Sequence, residues 1–422
     1  MQVNKLTYVQ NPKMILILLF VGNLFSAMDR FVINYGIVHI SDDLQLSASS
    51  TGMILSVFFL GYAIMQIPGG WMADRFGARI VLIFSVFSFT IFTSLTGVAW
   101  SLVSLLIIRF MFGLGEGSFF PAGAKMISVA IPQEKRSQAM SVFLSALTVA
   151  GVISPILAAT LLVSIGWRMM FGIIGIFGFT IGLLYWFLLK PKVGSQSETS
   201  SRAEDSQTEV PPKGSFIKLF KTPLVLSLMV ASFAFGFISW GVMSWMPTYL
   251  VQERGLNLIS MGLLQMIPAM TSVLFYIIAG YVLDKVRKGR EKWIGGFSGL
   301  GLALFVYLMF NAQTLTGVII YQSIIPIFSA ALSTIIFSLP LKRLPEAIGG
   351  SAVGVVNLGL QVAGFIAPLT LGFVIDAFGG SFKGAVWLLV SFGVVCFIAF
   401  MTLNSGKENY TTENPPIVPA AK

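Results

Sequence analysis

The sequence predicts an all-α membrane protein, with twelve transmembrane helices arranged as two pseudo-symmetric six-helix bundles. Three observations carry that prediction. The 422-residue chain is 56% hydrophobic and only 10% charged, and apolar runs of roughly 18 or more residues recur along most of it. The connections between the runs alternate sharply in charge. Short motifs of the first half recur in the second at nearly one offset.

The apolar runs place spans at 14–39, 51–73, 80–97, 102–128, 139–163, 168–189, 222–250, 261–283, 294–311, 317–340, 350–374 and 384–404. The first follows Lys5 and Lys13, as in a signal peptide. It is too long for one and carries Asp29-Arg30 in its middle, so it reads as a retained helix. Between spans six and seven lies Ser195–Pro212, polar and almost without large apolar residues, which reads as a disordered linker. The domains expected are a first bundle at 1–190, a linker at 191–221, a second bundle at 222–404 and a tail at 405–422.

Charge sets the orientation. One side holds Lys5, Lys13, Arg75, Arg79, Lys135, Arg136, the linker, the Lys285–Lys292 cluster, Lys342, Arg343 and the tail. The other holds only Arg168, Arg254 and Lys383. The positive-inside rule makes the basic side cytoplasmic, with both termini there. The net charge of +10 therefore records topology, and no nucleic-acid partner is implied.

The halves repeat. Val149–Pro155 (VAGVISP) recurs as Val362–Pro368 (VAGFIAP), an offset of 213. At that offset Pro132 matches Pro345, Ala139 matches Ala352 and Gly166 matches Gly379. Gly70-x-x-x-Asp74-Arg75 recurs as Gly280-x-x-x-Asp284-Lys285, at 210. Two related six-helix halves imply a site between them near mid-membrane, and alternating access by rocking.

The fourth span carries the chemistry. Arg109–Pro121 reads RFMFGLGEGSFFP. Ionisable residues inside an apolar run are costly and mark a functional cavity. Seven residues separate Arg109 from Glu116, so they share one helix face about 10 Å apart along the axis. Gly113, Gly115 and Gly117 let a neighbouring helix approach closely, and Pro121 predicts a bend. Depth brings in a second pair. Asp29 and Arg30 lie about 14 Å below the outer end of span one, between Arg109 at about 11 Å and Glu116 at about 21 Å. Four charges then share one cavity and sum to zero with both acids ionised. Protonating either acid leaves a positive site that attracts an anion. Lys125, near the inner end of span four, is expected to snorkel to the surface.

Several motifs resemble a known family. Gly70–Arg79 (GWMADRFGAR) looks like the signature loop of the major facilitator superfamily, and Gly280–Arg290 is its degenerate copy. The resemblance implies a gating loop in which Gly70, Asp74, Arg75, Arg79 and Asp284 latch the cytoplasmic side. It narrows to the anion:cation symporters, which include bacterial sugar-acid/proton symporters. The residues that carry it are Asp29-Arg30, Tyr62, Gln66–Gly70, Arg109, Glu116, Pro121, Trp240, Trp245–Leu250 and Asn357. By resemblance Asp29 and Glu116 are proton-coupling acids and Arg30 is the carboxylate ligand. Arg109 is then a charge partner of the acids, and Tyr62 and Asn357 are pocket hydrogen-bonders. Trp240, Trp245, Tyr249 and Phe337 are candidate aromatic walls. The resemblance also implies a bacterial cytoplasmic membrane.

The second half lacks the charges: Gln322 stands opposite Arg109 and Ser329 opposite Glu116. Ala27, Leu147 and Phe337 replace hydrogen-bonding residues of the sugar-acid members. That favours an anion with fewer hydroxyls than a hexonate, such as an aromatic or short-chain carboxylate.

The expected function is therefore import of an organic anion, a sugar acid included, with protons by alternating access. The alternative is a drug/proton antiporter of the same superfamily. Ser154–Ala159 (SPILAA) lacks the glycines of that pattern, and an arginine pair suits anions. An enzyme or a sensor finds no support. One cysteine, Cys396, and one histidine, His39, supply neither a disulfide framework nor a metal site. No cofactor is expected. The coupling ion is the proton, with sodium as the other option. The expected partners are a small organic anion and the lipid bilayer, and the expected state is a monomer.

Overall fold

A computed structural model describes residues 12–132, 135–189, 219–220, 222–284, 289–344 and 346–403. The tail, nearly all of the linker, Lys5, Pro345 and Lys285 lie outside the described residues.

The described chain is almost wholly helical: α1 Pro12–Asp43, α2 Ala48–Phe76, α3 Ala78–Thr96, α4 Leu102–Gly117, α5 Phe119–Ala130 and α6 Arg136–Leu188. A second series follows: α7 Pro223–Gln252, α8 Leu258–Asp284, α9 Glu291–Asn311, α10 Leu315–Arg343, α11 Glu346–Ala377 and α12 Lys383–Met401. Eleven helical stretches are long and apolar enough to cross a membrane. One of them, α6, holds two spans that meet at Gly166, whose φ of 74° breaks the helix. The fourth span is in turn α4 and α5, parted at Ser118. The sequence placed the irregularity at Pro121. The helix parts three residues earlier, because a proline at 121 has no N–H for the carbonyl four residues back, at Gly117. Twelve spans in two sets of six result, as expected.

The glycines of span four do what their spacing predicts. A Cβ on Gly113 would come 2.2 Å from the Phe58 carbonyl of α2, and one on Gly117 2.6 Å from that of Tyr62. Gly115 faces α3, where Ser88 Oγ lies 2.6 Å from the same construction. Backbones approach closely on two sides because no side chain intervenes.

The halves meet toward the charge-poor end through two contacts related by the repeat. Gly52 of α2 faces Pro368 of α11, with 2.5 Å from a built Cβ to the carbonyl; Gly262 of α8 faces Pro155 of α6 at 2.8 Å. Gly52 and Gly262 are themselves 210 residues apart, the offset of the two basic loops. Beyond the first contact, both carboxylate oxygens of Asp376 on α11 accept backbone N–H groups at the start of α2, from Ala48 at 3.0 Å and Ser49 at 2.8 Å. Gly354 of α11 has nothing within 4 Å of a built Cβ, and Ser145 and Thr148 of α6 are exposed at span depth. Gly166 and Gly379, paired by the repeat, both have positive φ, 74° and 64°.

Candidate transport site

The four mid-span charges come together, but not as one cluster. Asp29, Arg109 and Glu116 are buried at 0%, 1% and 1% exposure. Ser26 and Arg30 of α1 both donate to Oε1 of Glu116: Ser26 at 2.5 Å, and Arg30 in an ion pair. That places Glu116 beside residues 26–30, closer to the level of Arg30 than the difference between about 21 and about 14 Å in estimated depth implied. Consecutive residues on a helix point about 100° apart, so Asp29 faces elsewhere. It turns to α3, where Thr93 donates to Oδ2.

Arg109 lies within ion-pair reach of neither acid among the described residues. Its guanidinium sits over the rings of Phe112, at 4.6 Å, and Phe58, at 5.5 Å. Arg30 lies over Tyr62 at 4.8 Å and Phe58 at 5.2 Å. Aromatic faces stabilise both cations where water is scarce. The two arginines line one pocket between α1, α2 and α7. Phe31, Leu55, Phe58, Phe59 and Trp240 form its walls, and Asn34 and Ser244 are its neutral polar members. Several donors around it are buried without a hydrogen-bond partner: Arg30 Nε, Arg109 Nε and Nη1, and Trp240 Nε1. Such donors are costly unless an acceptor reaches them.

The remaining predicted residues divide. Tyr62 is buried against Arg30, and Trp240 meets Phe59 edge-on at 4.8 Å across the interface of the halves. Asn357 and Phe337 are half-buried and do not line the pocket. Trp245 and Tyr249 turn into their own half: Trp245 donates to the Pro368 carbonyl at 3.1 Å, and the Tyr249 hydroxyl to that of Phe310 at 3.0 Å. Gln322, the counterpart of Arg109, forms a reciprocal amide pair with Gln265 at 3.1 and 2.9 Å. The second half thus answers the first half's charge with a neutral, self-satisfied pair.

At the basic loop Asp74 pairs with Lys125 at 2.8 Å, inside its own half. Lys125 is therefore an ion-pair partner as well as a surface residue. Arg75 stacks on Trp71 at 5.2 Å, and Arg79 donates to the carbonyls of Trp186, at 3.0 Å, and Leu189 at the end of α6. Gly70 lies against Pro121, 3.8 Å from a built Cβ. The side chain of Asp284 lies outside the description. Residues that sequence reasoning missed are Ser26, Thr93, Asn34, Ser244 and Asp376. Each is a single small polar residue in or beside an apolar run, with no local pattern to set it apart.

Twelve spans in two related halves, meeting at a buried charged pocket, define a membrane transporter and not an enzyme. A profile of the Major Facilitator Superfamily matches residues 19–368, and the chain belongs to that superfamily. It is 30% identical over 421 residues to the hexuronate transporter of Bacillus subtilis, covering 95% of this chain and 97% of that one. It is 28% identical over 369 residues to the cis,cis-muconate transport protein of Acinetobacter baylyi, covering 86% and 87%. Among solved structures it is similar to a bacterial homolog of the human lysosomal transporter Spinster in an inward-facing and occupied conformation. The TM-score there is 0.76 at 19% identity, over 93% of this chain and 96% of that one.

Proposed function

We propose that the chain is a secondary transporter that imports an organic anion together with protons by alternating access. The observation that carries this reading is the pocket between the halves, with two arginines whose donors lack acceptors, one of them held by a buried glutamate. While Glu116 is ionised, it occupies Arg30. A proton on Glu116 weakens that pair and frees the guanidinium for a substrate carboxylate, with Arg109 as the second cation. Substrate and proton then arrive together, because each lowers the cost of the other's burial. Asp29 is the second coupling acid. Tyr62 and Trp240 position the anion, and Asn357 and Phe337 come to line the path as the halves rock.

The walls favour a particular class of anion. They are mostly aromatic and aliphatic, with Asn34 and Ser244 as the neutral polar members. Once the pocket, about 10 Å³ as it stands, has widened, such walls match a carboxylate with a flat or apolar body, while a polyhydroxylated acid would leave hydroxyls unpaired. Of the two relatives, the muconate carrier is the better guide to substrate shape. The basic end is cytoplasmic, with both termini there. Since Asp376 bridges the halves at the other end, we read the state as inward-facing. A monomer suffices, since the two halves already form a pathway. The drug-antiport alternative is not favoured.

The test is uptake into proteoliposomes with an imposed pH gradient. The panel contains benzoate, cis,cis-muconate, a hexuronate and a lipophilic cation. A carboxylate of apolar body should drive proton uptake. Movement of the lipophilic cation without any carboxylate response would overturn the proposal, and a preference for the hexuronate would overturn the substrate class alone.

A further inference from the structure

Thr93 stands behind the site and takes no part in the pocket. It is fully buried on α3, and its Oγ1 has two acceptors in reach: Oδ2 of Asp29 and the Phe89 carbonyl of its own helix at 2.9 Å. A hydroxyl has one proton and can donate to only one of them at a time, while its oxygen can also accept. Ser26, the hydroxyl beside Glu116, differs. Among the described residues its one acceptor is the glutamate, and that oxygen is shared with Arg30.

We infer that Thr93 is a positioning residue for proton uptake on Asp29, because its hydroxyl reverses direction to serve both protonation states of that carboxyl. With Asp29 ionised, Thr93 donates to Oδ2. When a proton arrives on Oδ2, the new O–H donates to Thr93 Oγ1, and the threonine proton rotates to the Phe89 carbonyl. One bond forms, between the incoming proton and Oδ2, and none breaks in the protein. Each state keeps its hydrogen bonds, so the proton can come and go without orphaning a buried polar atom. A neighbour that could only donate would favour the ionised form alone.

The surroundings leave this role to Thr93. Among the described residues Oδ1 of Asp29 has no hydrogen-bond partner. The charged groups that act on Asp29 from α4 are Arg109 and Glu116, with Arg30 next to it on α1. The charged residues of α2, α3, α5 and α6 are Asp74, Arg75, Arg79, Lys125, Arg136 and Arg168, toward the ends of their spans, and α7 has none. Thr90, one turn from Thr93, is buried with its hydroxyl unpartnered. The inference rests on Asp29 being a coupling acid, and it extends that role to the residue that makes its protonation reversible.

Infrared difference spectroscopy on the full chain in liposomes tests this without a substrate. On titration, a protonated carboxyl gives a C=O band, and the band lost in Asp29→Asn belongs to Asp29. Thr93→Val keeps the shape and removes the hydroxyl. It should move the midpoint of that band by about one pH unit toward alkaline, because the charged form loses the stronger, charge-assisted bond. The band should also rise in frequency as its own hydrogen bond is lost. Thr93→Ser should keep both near the wild-type values. If Thr93→Val does not reach the membrane, Thr93→Ala takes its place with the same expectation. A midpoint and frequency unmoved in the hydroxyl-less variant would refute the role of Thr93, as would a serine variant displaced as far as valine. A titration in which Asp29→Asn removes no band would show instead that Asp29 does not take up a proton, which strikes at the coupling assignment itself.

Discussion

Replacing Asp376 with asparagine should tip the protein toward opening at the charge-poor end. Asp376 closes that end by accepting the N–H groups of Ala48 and Ser49 at 3.0 and 2.8 Å. These are first-turn donors of α2 with no intrahelical acceptor. The next, Ser50, is already taken by the Ser47 side chain at 3.2 Å. A carboxylate at a helix N-terminus is worth about 0.3–1 kcal/mol when exposed, and hydrogen bonds to a charged group add to that. Asp376 is exposed, so solvent reduces both contributions, and about 1 kcal/mol in total is a fair magnitude. Asparagine keeps one acceptor and loses the charge, so the closed-to-open ratio should fall by up to about fivefold. Spin labels on cysteines placed at Val98 and Gln313, in a Cys396→Ser background, report that opening by electron–electron distance measurement. Val98 and Gln313 are exposed and lie at the same end on opposite halves. A longer-distance population should grow in the variant. A distribution unchanged from wild type, or one shifted to shorter distance, would refute the latch.

Three further outcomes follow from the site and its scaffold. Glu116→Gln should abolish accumulation driven by a pH gradient while retaining exchange of the same anion, and unchanged gradient-driven accumulation would remove Glu116 from the coupling scheme. Trp240→Phe keeps the ring against Phe59 and deletes an unpartnered N–H; apparent affinity for the carboxylate that drives proton uptake should weaken by about fivefold, or about 1 kcal/mol, as read from the concentration dependence of uptake. Gly113→Val puts a Cβ 2.2 Å from the Phe58 carbonyl and 2.9 Å from the Tyr62 nitrogen. Both are backbone atoms that cannot rotate away, so the variant should lose about 1–3 kcal/mol or more, seen as a lower Tm in detergent, and an unchanged Tm would contradict the close packing of α2 on α4.

The fold was legible because its signals are long and redundant. A span of some twenty apolar residues has few competing readings, and the repeat ties Gly166 to Gly379, both of which take positive φ. The glycines of span four were legible for the same reason, since three in five residues have one economical use between helices. The second repeat signal, Gly52 and Gly262, was present at the same offset as the basic loops and went unread, because a lone glycine in an apolar run carries no mark of its partner. The site was half legible. Depth along α1 and α4 put Asp29 and Arg30 between Arg109 and Glu116, yet depth says nothing of azimuth. It could not separate Asp29, which turns to Thr93, from Arg30, which turns to the pocket. Azimuth also decided the aromatic candidates: Trp240 faces the other half, while Trp245 and Tyr249 fill their own. Asp376 was invisible as a latch because its partners are backbone groups more than three hundred residues away.

The same geometry suggests how α2 links the site to the gates. Its 29 residues form a rod about 43 Å long, with Pro68 inside it toward the basic end. One end is held across the interface by Asp376, which accepts the N–H groups of Ala48 and Ser49. The other end carries Asp74, which here is tied to Lys125 on its own side. Midway along the rod, Phe58 and Tyr62 form the aromatic surface under Arg30, and Phe59 meets Trp240 and approaches Gly364 of the second half. A helix that pivots at its middle would engage the other half at one end or the other. Such a pivot predicts that releasing Asp376 at one end carries Asp74 toward the second half at the other and breaks its pair with Lys125. A pivot at that level passes the residues that hold Arg30, so a change in what Arg30 binds is expected to act on α2 there. The repeat supplies the companion contact, Gly262 on Pro155, without an acid at its end, since Val163 stands where the offset of 213 would put the counterpart of Asp376. The two halves thus share the interface contact by symmetry, while the polar latch, from an acid of the second half to the start of α2 in the first, is not repeated at the companion contact.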